Sequence, residues 1–250
     1  MSSLPHSIRQ SRHAALRAWR RAAAAVLARV WPQACFVCGE RGGSPVCRRC
    51  EDTLPWLLGA HCPVCALPTP AGQRCGQCSR RQPAFDATLA VFAYDYPVRE
   101  MLLRFKNGGA FELQDWLIEL LGARVAELSC DLIVPVPLHA KRIAQRGFNP
   151  AHELSRGLAH QFGWRLDPGA VVRDIDTPHQ AGLRLGERQR NLRGAFRVTR
   201  GMEGRHVLLV DDVMTSGTTL GELARSVRQR GATRVTNLVV ARTLSPPTRR

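Results

Sequence analysis

The residues with the clearest chemistry are eight cysteines arranged as four Cys-x-x-Cys pairs between positions 35 and 78. The pairs are Cys35/Cys38, Cys47/Cys50, Cys62/Cys65 and Cys75/Cys78. Two thiolates at this spacing can converge on one ion, and two such pairs complete a closed tetrahedral Zn²⁺ site. Pairing neighbours in sequence predicts one zinc on the first four cysteines and a second on the last four, whereas a cross-brace would pair the first knuckle with the third. Because protein fills every ligand position, either zinc would be structural and would supply folding energy.

Three other uses of paired cysteines compete with zinc. Disulfides suit secreted chains, but the N-terminus lacks the apolar core and cleavage site of a secretory signal. A redox Cys-x-x-Cys would stand singly beside a βαβ unit, and iron–sulfur clusters also take four thiolates. Zinc is the favoured interpretation. Cys130 stands apart from the pairs and fits a small buried hydrophobe.

A second chemical signal follows the apolar run Val207–Val210. There Asp211 and Asp212 precede a loop of small hydroxyl residues and glycine, namely Thr215, Ser216, Gly217, Thr218 and Thr219. Such a loop at the start of a helix offers backbone N–H groups, hydroxyl donors and a positive dipole end, which suit a phosphate monoester. Adjacent acids at the tip of a strand beside it suit the vicinal hydroxyls of a ribose 5-phosphate. The chain has no GxxxxGK[ST], which excludes a triphosphate-binding P-loop.

Two basic segments accompany this motif. Lys141, Arg142 and Arg146 follow the apolar run Ile133–Val136, and they offer the positive charge that a leaving group with several negative charges requires. Alone, this segment would be an ordinary solvated basic turn. Residues 177–196 carry four further arginines, Arg184, Arg188, Arg190 and Arg193, and a nucleic-acid contact strip would have the same composition.

The elements that must position these residues alternate between helix and strand beyond about residue 83. The patterns predict helices at 112–128, 150–162 and 218–230, and strands at 132–136, 171–173, 196–198, 206–210 and 235–241. Strands joined by crossover helices predict an α/β fold, with a parallel sheet covered by helices on both faces. The predicted domains are a basic N-terminal extension at 1–31, a double zinc-ribbon module at 32–82 and the α/β domain at 83–250.

The composition narrows the class of protein. The chain has 250 residues, 44% of them hydrophobic and 22% charged, with a net charge of +16, so global disorder is excluded and polyanionic partners are favoured. Residues 1–31 contain six arginines and no acid, and they predict an amphipathic basic helix, a pattern that mitochondrial transit peptides share. No apolar run approaches the roughly 18 residues of a membrane span.

The stretch from Val207 to Leu220 closely resembles the phosphoribosyl-pyrophosphate (PRPP) motif of type I phosphoribosyltransferases. Together with the four Cys-x-x-Cys pairs, the segment from Phe92 to Lys106, the Val-Pro-Val-Pro run and residues 180–196, it resembles the ComF family of competence-associated phosphoribosyltransferase-like proteins. The resemblance spans 35 to about 241 and implies a type I phosphoribosyltransferase-like sheet preceded by a double zinc ribbon. The arginine-rich extension before Cys35 lies outside the family pattern.

The resemblance also implies roles for the residues. It assigns Thr215–Thr219 to the 5-phosphate, Asp211 and Asp212 to the ribose hydroxyls, and Lys141, Arg142 and Arg146 to pyrophosphate. Arg188 and Asn191 are candidates to cover PRPP, from a loop that closes over the reacting centre in type I enzymes. Mg²⁺ would be held mostly by substrate oxygens and water.

Three hypotheses about function remain open at this level. The first is a bacterial, cytoplasmic, PRPP-dependent transferase whose acceptor the residues do not identify. The second is a non-catalytic accessory protein of natural transformation that grips single-stranded DNA and works with a competence helicase or the DNA-uptake machinery. The third, a pure interaction scaffold, is the weakest because it leaves the complete PRPP motif without a role.

Overall fold

The computed structural model describes residues 33–108, 112–174 and 194–244. They fall into two compact units that divide between Leu54 and Pro55. The predicted N-terminal helix lies outside the described residues, as does the segment with Arg184, Arg188, Arg190, Asn191 and Arg193. The predicted domain boundaries therefore stay a prediction, although the division at Leu54 falls between the second and third cysteine pairs.

The smaller unit is built around the first two cysteine pairs. Strands β1 (Gln33–Ala34) and β2 (Arg41–Gly42) are antiparallel, and the short helix α1 (Arg48–Glu51) begins directly after Cys47 and contains Cys50. The backbone N–H of Gly39 donates to the Cys35 carbonyl at 2.8 Å, which closes the first knuckle as a tight turn. The unit therefore depends on turns rather than on an extensive apolar core.

A four-stranded parallel sheet organises the larger unit. Its strands are β3 (Ala87–Ala93), β4 (Leu132–Pro135), β7 (His206–Met214) and β8 (Arg234–Arg242), in the order β3-β8-β7-β4. All four residues of Val207–Val210 are fully buried, as expected of a central strand with both faces covered. The predicted fold class is confirmed.

Six helices lie in the described part of this unit, and several of them cover the sheet or connect its strands. They are α2 (Gly76–Arg80), α3 (Val98–Lys106), α4 (Glu112–Arg124), α5 (Ala140–Arg146), α6 (Pro150–Phe162) and α7 (Thr218–Gln229). Helix α6 illustrates the local causes: the Asn149 side chain accepts a hydrogen bond from the Ala151 N–H at 3.1 Å, and Gly163 ends the helix at φ +68°.

The two faces of the sheet are covered differently. Val207 and Leu209 share one buried cluster with Leu220 and Leu223 of α7. Successive residues of a strand point to opposite faces, so Leu208 and Val210 lie on the other face, and α6 packs against β4 and β7. Packing on both of its faces therefore fixes β7 up to the point where its acidic residues begin.

The last four paired cysteines belong to the core on the α7 face. Cys62, Cys65 and Cys78 lie in the same buried cluster as the apolar side of α7. The Thr88 hydroxyl donates to the Val64 carbonyl at 2.7 Å, and the Ala93 N–H donates to the Pro55 carbonyl at 2.7 Å. This cysteine-rich segment therefore covers the edge strand β3, where a free edge would otherwise be exposed.

The predicted elements agree with the structure in position and differ in extent. The structure extends the predicted strand at 206–210 to Met214, and β3 and α3 are among the elements that were not predicted. The basic segment that was expected as a turn is the helix α5. Strands β5 (Val171–Arg173) and β6 (Phe196–Val198) pair with each other in antiparallel fashion rather than joining the parallel sheet. In the chain, these two strands lie on either side of residues 175–193, which the structure does not describe.

Candidate functional site

Both groups of four cysteines have the geometry of a zinc site. Within each group the Sγ atoms all lie within 4.8 Å of one another. The Sγ atoms of Cys38 and Cys47 are 3.7 Å apart, and those of Cys65 and Cys75 are 3.5 Å apart. Tetrahedral zinc with sulfur at about 2.3 Å requires an Sγ separation of about 3.8 Å. The donors therefore fit zinc, and the grouping joins neighbours in sequence rather than forming a cross-brace.

One thiol in each group is set up to ionise. Burial opposes the charged form of Cys35, but N–H groups of Cys38 and Cys47 lower its pKa to about 6. The same balance of burial against backbone N–H groups lowers the pKa of Cys62 to about 7. Zinc binds thiolates rather than thiols, so Cys35 and Cys62 are the ligands that ionise most readily, whereas burial raises the pKa of Cys50 to about 12 and that of Cys65 to about 11.

The acidic pair lies in the second half of β7. Asp211 is half-buried, Asp212 is 8% exposed, and an Asp211 carboxylate oxygen accepts a hydrogen bond from the Asp212 N–H at 2.9 Å. The Lys106 ammonium at the end of α3 lies 3.0 Å from an Asp212 carboxylate oxygen. The strand therefore presents two carboxylates, one of which is already paired with a cation.

The two acids are not equivalent electrostatically. Burial raises the pKa of Asp211 to about 7, and the neighbouring Asp212 adds to the shift while Lys106 opposes it. Although burial disfavours the Lys106 ammonium, Asp212 outweighs that effect and raises the pKa of Lys106. Asp211 is thus the carboxyl whose charge changes near neutral pH.

The predicted phosphate loop connects β7 to α7. Gly217 has φ +77°, and a Cβ at this position would lie 2.5 Å from the Met214 methyl carbon, so the loop requires glycine there. The hydroxyls of Ser216 and Thr218 are 2.7 Å apart. Helix α7 begins at Thr218, and its first N–H groups have no partner within the helix. Hydroxyl donors and backbone N–H donors therefore lie together in this one short turn.

A buried arginine is hydrogen-bonded to the backbone of this loop. Arg242 is 4% exposed, and its guanidinium donates to the carbonyls of Met214 at 3.1 Å and Cys65 at 2.8 Å. It also bonds the Thr215 carbonyl and, at 2.7 Å, the Thr243 carbonyl. One side chain thus holds the phosphate loop and a ligand residue of the second cysteine group together.

The positive charge of this arginine is also matched by the groups around it. Burial lowers the pKa of the Arg242 guanidinium, while the nearby Cys65, Cys75 and Cys78 favour its charged form. Zinc on four thiolates carries a net double negative charge, for which a buried cation is a suitable counter-charge.

The remaining predicted residues divide into two groups. Lys141, Arg142 and Arg146 lie on α5, which follows β4, and β4 pairs in parallel with β7 through Pro135 and Val210. The carboxyl ends of these two strands meet at one edge of the sheet, so α5 and the phosphate loop follow the same edge. Arg188 and Asn191 lie outside the described residues.

Two residues of the site were not predicted. Lys106 carries a weak signal in the sequence, as a cation at the end of an amphipathic helix. Arg242 carries a stronger one, because this charged residue directly follows the apolar run Leu238–Ala241 in β8. Their partners lie 106 and 177 positions away in the chain, for the Lys106–Asp212 pair and the Arg242–Cys65 bond respectively.

Two family models match this chain in the order that the structure shows. A double zinc ribbon domain matches residues 26–79, and a phosphoribosyl transferase domain matches residues 143–249. The zinc-ribbon match joins both cysteine groups, whereas the compact units of the structure divide between them. The chain is thus a phosphoribosyltransferase-type α/β protein with a double zinc ribbon at its N-terminal side.

Relatives extend this similarity over most of the chain. The DNA utilization protein YhgH of Escherichia coli (strain K12) is 33% identical over 227 residues, which cover 85% of this chain and 98% of that protein. Competence protein F of Haemophilus influenzae is 32% identical, covering 64% of this chain and 74% of that protein. Competence protein ComFC of Bacillus subtilis is 27% identical, covering 74% and 79%. The chain belongs to this ComF family, which confirms the predicted resemblance.

Solved structures show a more distant likeness. A purine phosphoribosyltransferase from Pyrococcus horikoshii is 20% identical and covers 53% of this chain and 85% of its own, with a TM-score of 0.33. A hypoxanthine phosphoribosyltransferase from Staphylococcus aureus is 14% identical, covering 54% and 68%, with a TM-score of 0.34. Neither carries an argument about substrate. Among the described residues, no helix combines the length and apolar character that a membrane crossing requires.

Proposed function

We propose that this protein binds PRPP or ribose 5-phosphate with Mg²⁺ and acts as a phosphoribosyltransferase in the use of DNA during competence. The observation that carries the proposal is the continuity of one strand and one loop: Asp211 and Asp212 stand four and three positions before Thr215, where the Thr215–Thr219 turn begins. This spacing suits a ribose whose hydroxyls meet the acids while its 5-phosphate meets the turn.

The chemistry asked of the protein is positioning and charge stabilisation. As PRPP ionises at C1, the developing positive charge lies near the acidic pair, and an incoming nitrogen completes the transfer. Lys141, Arg142 and Arg146 of α5 would stabilise the departing pyrophosphate, and Arg188 and Asn191 would cover it. Mg²⁺, when bound with the substrate, neutralises charge on the pyrophosphate. Since Lys106 already pairs with Asp212, substrate oxygens and water would supply most of the Mg²⁺ ligands.

Calorimetric titration with PRPP and with ribose 5-phosphate, each with Mg²⁺, tests the proposal. Asp211→Asn together with Asp212→Asn should abolish binding without melting the sheet. Gly217→Ala should weaken binding at least tenfold, because an added Cβ strains φ and displaces Met214. As a matched control, Asp115→Asn with Glu119→Gln removes two carboxylates from the exposed side of α4 and should leave binding unchanged. No binding to the wild type at millimolar concentration would refute the proposal.

A second candidate function is binding of single-stranded DNA as an accessory protein, alone or with the uptake machinery. It is favoured by four exposed arginines beside the cysteine groups, Arg48, Arg49, Arg80 and Arg81, and by the name of the Escherichia coli relative. Affinity should then fall with salt at a slope near −0.7 per phosphate contact. Neutralising these four arginines, and separately Arg184, Arg188, Arg190 and Arg193, locates the contact. If neither set changes the slope, the N-terminal Arg17, Arg20 and Arg21 become the candidates.

A further inference from the structure

A cavity of about 860 Å³ adjoins the phosphate loop on the side of the second cysteine group. One wall is the loop itself from Thr215 to Thr218 with the first turns of α7, and the opposite wall is α2 with the residues that follow it. This volume lies within the range of about 300 to 1,000 Å³ that is typical of sites for small organic ligands. A single phosphate group would fill only a small part of it.

The cavity is not the ribose site. Among the described residues that line it, Asp211, Asp212 and Lys106 are absent, whereas Thr215 to Thr218 are present. A ligand with its ribose on the acidic pair and its 5-phosphate on the loop would therefore meet this cavity beyond the phosphate. The space suits a group attached to that phosphate.

The lining combines three kinds of surface. Exposed cations come from Arg80, Arg81 and Arg225, and Glu222 forms an ion pair with Arg225. Apolar surface comes from Leu67, Phe85 and Met214, of which Phe85 and Met214 lie next to Gly217 of the loop.

Two amide side chains, those of Gln77 and Gln82, complete the lining. Amides can pair with the edge of a nucleobase, cations can hold phosphate, and apolar surface can accept the face of the base. Arg242 also borders the cavity, but its bonds to backbone carbonyls commit it to the loop. The other lining side chains therefore offer the kinds of contact that a bound nucleotide requires.

We propose that this cavity binds a second nucleoside that is attached to the 5-phosphate held by the loop, either directly as an ester or through one further phosphate. The ligand class is a ribose or deoxyribose whose 5-phosphate is esterified, either a small dinucleotide or a strand of nucleic acid. The proposal rests on the proposed function for the place of the ribose and the 5-phosphate, and it adds a further class of ligand that extends past that phosphate. The second cysteine group then has a role in recognition, because α2 forms the far wall.

Titration calorimetry with ribose 5-phosphate, a dinucleoside monophosphate, a dinucleoside diphosphate and a ten-nucleotide single strand tests this inference. We expect at least one dinucleotide to bind ten times more tightly than ribose 5-phosphate. Arg80→Gln with Arg81→Gln should remove that tenfold gain while leaving ribose 5-phosphate binding unchanged. The matched control is Arg156→Gln with Arg165→Gln, two exposed arginines that do not line the cavity, which should change neither.

The outcomes separate this inference from the proposed function. No preference for any dinucleotide, or an equal loss for every ligand in the Arg80/Arg81 variant, overturns the cavity site. Preference for a dinucleotide without binding of PRPP or ribose 5-phosphate overturns the transferase and supports the cavity. Tighter binding of the ten-nucleotide strand than of either dinucleotide identifies nucleic acid as the source, and the reverse order identifies a small dinucleotide.

Discussion

The two cysteine groups have the same ligands and similar spacing but different surroundings. In the first group Cys35 is buried, Cys38 is exposed, and the small unit around them has few buried apolar residues. In the second group Cys62, Cys65 and Cys78 are buried in the core that includes α7. The same four-cysteine motif therefore holds the small unit together where there is little apolar core, whereas in the larger unit it is part of the apolar core.

The difference reaches the phosphate loop through Arg242. Its guanidinium bonds the Cys65 carbonyl on one side and the Met214 and Thr215 carbonyls on the other. Loss of the second metal would therefore release one anchor of the loop and remove the negative charge beside a buried cation. The first group lies in a different compact unit, and the described contacts of the loop do not require it.

The largest effect is expected from Cys65→Ser, because it breaks the metal site that lies within the core. Zinc content should fall from two per chain to one, the larger unit should lose most of its thermal stability, and ribose 5-phosphate binding should disappear. Structural zinc supplies about 10 kcal/mol or more in small modules, so a large loss is expected. Elemental analysis, circular dichroism on heating and calorimetry measure the three quantities.

Cys47→Ser is the matched variant for the first group. It also removes one zinc, but the sheet should melt at its usual temperature and bind ribose 5-phosphate normally. Equal effects of the two variants would contradict the distinction between the groups. Iron in the purified protein, or disulfides by mass spectrometry, would contradict zinc itself.

A smaller effect is expected from Arg242→Gln, which keeps the metal ligands but removes the guanidinium that joins them to the loop. Four carbonyls lose a charged donor, so unfolding should cost about 2 to 4 kcal/mol less. Binding of ribose 5-phosphate should weaken more than tenfold while both zinc ions stay bound. Arg242→Lys keeps the charge without the planar fork, and it should recover stability more than binding. Unchanged phosphate affinity in both variants would show that the loop does not depend on this anchor.

The acidic pair gives a moderate effect that depends on pH. The pKa of Asp211 is about 7, so below that pH a proton must leave before an ionised pair can meet the ligand. Asp212, Lys106 and Arg173 are the charged groups that act on it. The affinity for PRPP with Mg²⁺ should therefore rise about tenfold from pH 6 to pH 8 and level off above. Asp211→Asn should flatten this profile, and a wild-type profile without the rise would show that Asp211 binds in its protonated form.

Local patterns predicted much of this molecule, and long-range pairing accounts for most of what they missed. The helix Pro150–Phe162 has an Asn–Pro start and a glycine stop, so its ends were visible in the sequence. Strand β3 lies within the predicted α/β domain, but it was not predicted. Cys62 and Cys65 count as metal ligands in sequence, and only the fold shows that they are also part of a core.

The same reason explains what was predicted of the site. Asp211, Asp212 and the Thr215–Thr219 loop are neighbours in the chain, so their spacing carried the information. Lys106 and Arg242 reach them across the sheet, through contacts that depend on the order β3-β8-β7-β4. No local pattern specifies that order.

The smallest effect is expected at Cys130, the one cysteine outside both groups. It is 8% exposed, and burial raises the pKa of its thiol to about 12, so it stays a neutral, apolar side chain. Cys130→Ala should lower the free energy of unfolding by about 1 kcal/mol, through lost contacts of the sulfur. Both zinc ions and the affinity for ribose 5-phosphate should be unchanged. Loss of a metal ion in this variant would mean that Cys130 also binds metal, and the two groups of four cysteines would then not be the complete sets of ligands.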